Sequence, residues 1–324
     1  MGEAIIEPDL PICDPHHHLW DFEGSRYLLP ELLADLTSGH NIESTVFVEC
    51  GSFYRASGPA PMQYVGETEF VGGAAAMAAS GRYGPVLACE GIVGRADLSQ
   101  GASVAAVLES HVRAGNGRFK GIRHSGAYDP SPDIRRSHTS PPPGLYGRAS
   151  FREGFAQLAG HGLSFEAWQY HPQLGEVAAL ADAFPGTAIL LNHVGGPLGI
   201  GPYAGKRDEV FALWKAGIED LAKRPNVWVK LGGLGMAICG FGFHRRDPKP
   251  GSEELAAAWR PYLEACIEAF GARRGMFESN FPVDGASCDY ATLWNALKRV
   301  ASGASADEKA ALFKHNARRF YRLD

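Results

Sequence analysis

Short apolar and β-branched runs alternate with longer stretches of helical period along this chain. The runs span 10–16, 44–50, 85–93, 118–124, 163–170, 187–195, 226–233 and 275–281. Each has the length and residue types of a buried strand. Between them, 71–82, 103–115, 175–184, 209–224 and 254–271 carry apolar residues at helical spacing, and several end on Gly or just before Pro. The stretch 305–323 opens on a Ser cap with acidic residues in its first turn, then places apolar residues at 311, 312, 317, 320 and 321, the pattern of a closing helix. Strands alternating with helices make parallel β/α units with right-handed crossovers. Eight such units close a barrel. The expectation is α/β: one (β/α)8 TIM barrel over 1–324 with long βα-loop insertions. No G-x-G-x-x-G follows a strand, which counts against an open dinucleotide-binding sheet. The insertions 51–68, 125–150 and 233–252 all follow strand C-terminal ends, the face on which a barrel carries its active site.

Composition changes the picture only by exclusion. The 324 residues are 45% hydrophobic and 21% charged, with a net charge of −5 and no basic arm, so nucleic acid is not an expected partner. No apolar run approaches about 20 residues, so no membrane is expected. The six cysteines are scattered without a C-x-x-C pair, which suggests neither a disulfide framework nor a thiolate metal site. The first residues lack a signal-peptide pattern, and a cytoplasmic location is expected. The expected partner is a small-molecule substrate, with a homo-oligomer left open.

The candidate chemistry starts at "PICDPHHHLWD". Side chains alternate along a strand, so His16 and His18 share a face and His17 takes the other. Two imidazoles about 6.6 Å apart along a strand can lean onto one divalent ion. Asp14 shares their parity as an anchor behind them. Taken alone, an H-x-H is more often structural. Other strand ends add weight: His193 in "LLNHVGGP", Arg123 and His124 in "FKGIRHSG", and Asn280 and Asp284 in "ESNFPVD". Glu49 ends the second strand, and Glu166, Gln169, Tyr170 and His171 close the fifth. Lys230, inside the seventh, needs a carboxylate partner as either a structural ion pair or a site residue.

As a set, "DPHHHLWD", "KGIRH", "NHVGGP", "VKLGG", "MFESNFPVD" and the tail "KAALFKHNARRFYRL" resemble the metal-dependent amidohydrolase superfamily. The nearest branch is the amidohydrolase-2 group, which holds sugar-acid lactonases and 2-pyrone-4,6-dicarboxylate hydrolase. The resemblance implies a TIM barrel that hydrolyses a lactone or related cyclic ester with activated water. It makes His16, His18 and His193 the metal ligands, with zinc as the expected ion, although metal-independent relatives exist. It puts Arg123 at the substrate's polar or anionic end; from their strand-end positions, His124, Glu49, Glu166, Tyr170 and His171 are further candidate substrate contacts. Asn280 occupies the strand-8 position that usually holds the aspartate general base. An amide cannot take a proton at neutral pH. The base then passes to another group: Asp284 first, with Glu166, Glu49, His124 and His171 behind it, beside catalytic roles for Asn280 and His193. The alternatives are a non-oxidative decarboxylase of an aromatic or unsaturated acid on the same scaffold, and an inactive ligand-binding barrel.

Overall fold

The computed structural model describes residues 3–134 and 138–323. Its main sheet has eight strands: β1 (Ile12–His17), β2 (Ile42–Val48), β3 (Leu87–Gly94), β4 (Phe119–Arg123), β5 (Ser164–Ala167), β6 (Ile189–Leu191), β7 (Val227–Leu231) and β8 (Gly275–Phe277). They pair in chain order, all parallel. The ring closes just beyond β8. His18 N–H donates to the Phe281 carbonyl at 2.8 Å, and Asn280 N–H to the His16 carbonyl at 2.9 Å. This is the (β/α)8 barrel.

The helices packed around it are α1 (Leu29–Leu36), α2 (Val65–Ala79), α3 (Ala105–Gly115), α4 (Ala149–Gly160), α5 (Leu174–Ala183), α6 (Arg207–Leu221), α7 (Ser252–Phe270) and α8 (Tyr290–Val300). Their apolar stripes and the outward faces of the strands form one large core. A small hairpin, Trp20–Phe22 against Ser25–Tyr27, follows β1. Helix α2 begins at Val65, so the insertion after β2 is shorter than the sequence pattern suggested. No described helix is long and apolar enough to cross a membrane.

Inside the barrel, Cys13, Val46, Val48, Val93, Leu190 and Met276 form an apolar layer. The closing helix (Asn316–Tyr321) plugs this layer from the N-terminal end of the strands with Ala317, Phe320 and Tyr321. The two-residue period of the strands then fixes which later side chains share the lumen. One strand breaks the period. The pairing of β1 with β2 slips between Asp14 and His17, so Cys13, not Asp14, shares the lumen with His16. Asp14 instead accepts hydrogen bonds from Ser279 Oγ (2.6 Å), Ser279 N (3.1 Å) and Tyr290 Oη (2.9 Å). It staples β1 to the chain after β8 rather than backing the histidines. His17 faces outward as parity required. Its Nε2 accepts a hydrogen bond from the Thr45 hydroxyl at 2.8 Å.

Candidate active site

Above the apolar layer the lumen turns polar. Glu166 of β5, Lys230 of β7 and Arg123 of β4 point inward with His16, and Glu278 continues the face of Met276 one step past β8. His193 enters from the turn after β6. All six are buried. Burying charge is tolerated when each ion finds a partner, and two closed pairs do this. Lys230 Nζ donates to Glu166 Oε2 at 2.8 Å, and Asn192 Nδ2 donates to the same oxygen at 2.8 Å. The Tyr321 hydroxyl donates to Glu166 Oε1. Arg123 Nε donates to Glu49 Oε1 at 2.7 Å, a second Arg123 nitrogen donates to the Glu49 carbonyl, and His138 Nε2 lies 3.0 Å from Glu49 Oε2.

Glu278 is left over. Its Oε1 accepts from His193 Nδ1 at 2.7 Å and from His193 N at 3.2 Å. Its Oε2 lies 2.8 Å from His16 Nδ1, but no aligned hydrogen bond reaches that oxygen. Burial, opposed by Lys230 and reinforced by Glu166, pushes the Glu278 carboxyl up to about 8. The imidazoles beside it do not supply the missing charge. Burial first, then Lys230 and the neighbouring His193, hold His16 well below its ordinary range; burial and then Arg123 do the same for His18 and His193. A lone buried carboxylate between two neutral imidazoles calls for a cation or a proton. Ligand atoms of His16, His193 and Glu278 all lie within 4.8 Å of one another. With the undonated Glu278 oxygen, this set fits a divalent metal ion in ligand type and charge.

His18, the other expected ligand, stands beside this group. Its ring centroid is 4.9 Å from that of His16. Its Nδ1–H donates to the Val48 carbonyl at 2.8 Å, which leaves Nε2 as the ring's lone pair. Glu278 was not among the candidates from sequence. The signal was available, because it lies two residues from Met276 on one strand face.

The backbone around His193 is strained. His193 and Val194 have φ of 52° and 46°, a conformation rare for a β-branched residue. The Trp214 indole N–H holds the Val194 carbonyl at 2.6 Å. Gly233 (φ 70°) lies so close that a Cβ there would sit 2.5 Å from the His193 ring. Gly233→Ala therefore displaces the imidazole. We expect a loss of about 10²-fold in kcat/KM, as for an ångström-scale misplacement, measured by steady-state kinetics beside an unchanged far-ultraviolet spectrum.

The family model described as "Amidohydrolase" matches residues 13–323. This chain belongs to the amidohydrolase family. The amidohydrolase is 33% identical to the uncharacterized protein y4mH of Sinorhizobium fredii, over 97% of this chain and 99% of that one. It is 29% identical to an L-fucono-1,5-lactonase of Burkholderia multivorans, over 54% of this chain and 56% of the relative. A solved amidohydrolase from Burkholderia multivorans with zinc bound shares the fold, at 24% identity and a TM-score of 0.73, covering 97% of this chain and 99% of that one.

The remaining sequence candidates of the amidohydrolase divide between tying loops and lining the mouth. Asn280 (φ 54°) turns its amide to Asp284, with Nδ2 donating to Oδ1 at 2.8 Å. Asp284 Oδ2 accepts from Gly235 N at 2.9 Å. The two residues thus join the turn after β8 to the loop after β7. His124 Nδ1 accepts from Leu98 N at 3.3 Å, and its ring packs on Phe151. His171 Nδ1 accepts from Leu198 N at 3.3 Å and packs on Tyr203. Tyr170 touches Trp168, whose ring meets that of His193 with centroids 4.8 Å apart.

Burial, opposed by the Gly235 N–H and the Asn280 amide, raises Asp284 from 3.8 to about 7. A carboxyl raised on folding keeps its proton in the native chain while the unfolded chain loses it. Stability therefore falls as pH rises from about 4 to about 7 and is flat above. The expected contribution is of order 4 kcal/mol across that window. Asp284→Asn should flatten this slope in denaturant titrations at pH 5 and pH 8, and an unchanged slope would count against it.

Proposed function

We propose that this amidohydrolase hydrolyses a lactone or a similarly reactive cyclic ester at the C-terminal mouth of the barrel. The observation that carries the reading is the unmatched Glu278 carboxylate between the neutral imidazoles of His16 and His193. These three residues would hold a divalent metal ion, with zinc the first to test. When bound, the ion polarises the ester carbonyl and lowers the pKa of a water molecule toward about 7. The protein's own groups supply the rest. His18, fixed as the Nδ1–H tautomer by Val48, takes the proton of the attacking water on Nε2 and returns it to the ring oxygen as the C–O bond breaks. The product is the open hydroxy acid. Arg123, locked in place by Glu49, directs its remaining N–H group toward His16, 3.3 Å from Nε2, and offers fixed positive charge to the developing oxyanion. The half-length likeness to L-fucono-1,5-lactonases supports the reaction class.

The test is metal content of the protein as purified, followed by a lactone panel with and without chelator. The expected result is about one divalent ion per chain, opening of at least one lactone, and loss of both on chelation. Release of CO2 from an unsaturated acid, with no lactone opened, would transfer the site to decarboxylation.

A further inference from the structure

Arg123 was the expected anchor for an anionic substrate, but its Nε and one terminal nitrogen are committed to Glu49. Its other terminal nitrogen lies 3.3 Å from His16 Nε2. The aim of that group depends on the Glu49 carboxylate, and so on whatever holds Glu49. Glu49 directly follows β2 and is buried. Its Oε1 is taken by Arg123. Its Oε2 lies 3.0 Å from Nε2 of His138, a residue of the insertion after β4. Against an ionised carboxylate that nitrogen carries the proton, so Nε2–H donates. Burial would raise the Glu49 carboxyl, but Arg123, then His138, then Arg95 hold it below its ordinary range.

His138 has a fitted seat beside this carboxylate. Gly51, two residues past Glu49, has φ of 83°, and a Cβ on it would lie 3.2 Å from the His138 ring. Bare backbone at Gly51 lets the imidazole lie against the chain next to the oxygen it bonds. The His138 side chain is 35% exposed, whereas those of Glu49 and Arg123 are 1% and 7% exposed. A series of contacts therefore runs inward from solvent: His138 to Glu49, Glu49 to Arg123, Arg123 to His16. A carboxylate gripped at both oxygens cannot turn about its last C–C bond. With Oε2 released it can turn, and the guanidinium bonded to Oε1 moves with it. Ångström-scale shifts of that kind are what catalytic rate is most sensitive to.

We propose that His138 is a positioning residue: by holding the outer oxygen of Glu49 it fixes the carboxylate that aims Arg123 at the reacting carbonyl. The insertion after β4 thereby sets kcat from outside the lumen. The inference rests on the lactone-hydrolysis reading above for what Arg123 does, and on the geometry alone for the coupling.

The experiment compares wild type with His138→Ala and His138→Gln on the lactone opened fastest in the panel above. The partial exposure of His138 means that neither change opens a void in the core. His138→Ala should lower kcat about 10-fold, a fraction of the roughly 10²- to 10³-fold that outright loss of an oxyanion donor costs, with KM within about 2-fold. His138→Gln, whose amide can donate to Glu49 from nearly the same place, should recover kcat to within about 3-fold. In an Arg123→Lys background His138→Ala should cost no more than about 2-fold further, since the group it aims is gone. Equal losses in the two backgrounds, or no loss in His138→Ala alone, would overturn the proposal. The Nε–H resonance of Arg123 in a nitrogen-15 correlation spectrum, assigned by its disappearance in Arg123→Lys, reads the coupling without turnover. It should shift and exchange faster with solvent in His138→Ala and return in His138→Gln. If wild type opens no lactone, that spectrum still decides: the shift and its return uphold the coupling and sink only the reaction, and an Arg123 signal indifferent to His138 sinks the coupling.

Discussion

Glu278→Gln is expected to lower kcat for the proposed lactone opening by about 10²- to 10³-fold and to leave the purified protein without the metal ion proposed at His16, His193 and Glu278. Glutamine keeps the volume and still offers an oxygen to His193 Nδ1, so the barrel has no reason to unfold. Among the described lumen residues it removes the carboxyl group that no cationic side chain closes in an ion pair, since Glu166 is bound to Lys230 and Glu49 to Arg123. It also sets an amide NH2 in place of the oxygen that faces His16 Nδ1. Metal content by mass spectrometry and steady-state kinetics check the two halves separately. Full metal occupancy with activity within about 5-fold of wild type would remove Glu278 from the site. The companion change, Asn280→Asp, should not improve the enzyme. It would bring a second carboxylate against Asp284, which Asn280 now meets at 2.8 Å, and like charges at that range disfavour ionisation of both.

Lys230→Met is the change expected to cost most in stability. It leaves the Glu166 carboxylate buried beside Tyr321 and Asn192 with no cation. Breaking a buried pair by removing one partner costs about 3–5 kcal/mol, whereas replacing both is often neutral. Urea titration should therefore show a large loss for Lys230→Met and recovery of most of it in the double variant Glu166→Gln, Lys230→Met. Activity should not return in the double variant, because Lys230 Nζ also contacts His16 Nδ1 at 3.1 Å and sets that ring's surroundings. A single variant as stable as wild type would show that Glu166 is satisfied by hydrogen bonds alone.

The barrel was legible because strand and helix periods repeat along the chain and the inner strands are continuously apolar. Strand ends were overextended. The runs at 163–170 and 187–195 contain strands only over Ser164–Ala167 and Ile189–Leu191, since the residues beyond turn into the mouth while remaining largely buried. His16, His18 and His193 were visible as strand-end histidines. The role of Asp14 does not follow simple alternation because a slip in pairing reverses side-chain parity, and Pro15 in "ICDPHH", which has no N–H for the ladder, is the residue that marks the slip. The family match points to Asn280, the position of the usual aspartate, and so away from Glu278. The next lumen-facing position after Met276 is Glu278, and a carboxylate there reaches His16 and His193, whereas the Asn280 backbone turns left-handed and takes its side chain to Asp284. The commitment of Arg123 to Glu49 could not be read at all, since those residues meet only across two strand ends.

The Tyr321 hydroxyl that reaches Glu166 belongs to a helix that follows every strand in the chain. During synthesis the eight staves can therefore leave the ribosome and begin to pair while the amine of Lys230 still faces an incompletely bonded acid and an open floor. The interior is complete only with the helix Asn316–Tyr321 beneath it, so the bonding of Glu166 waits on residues made after all eight strands.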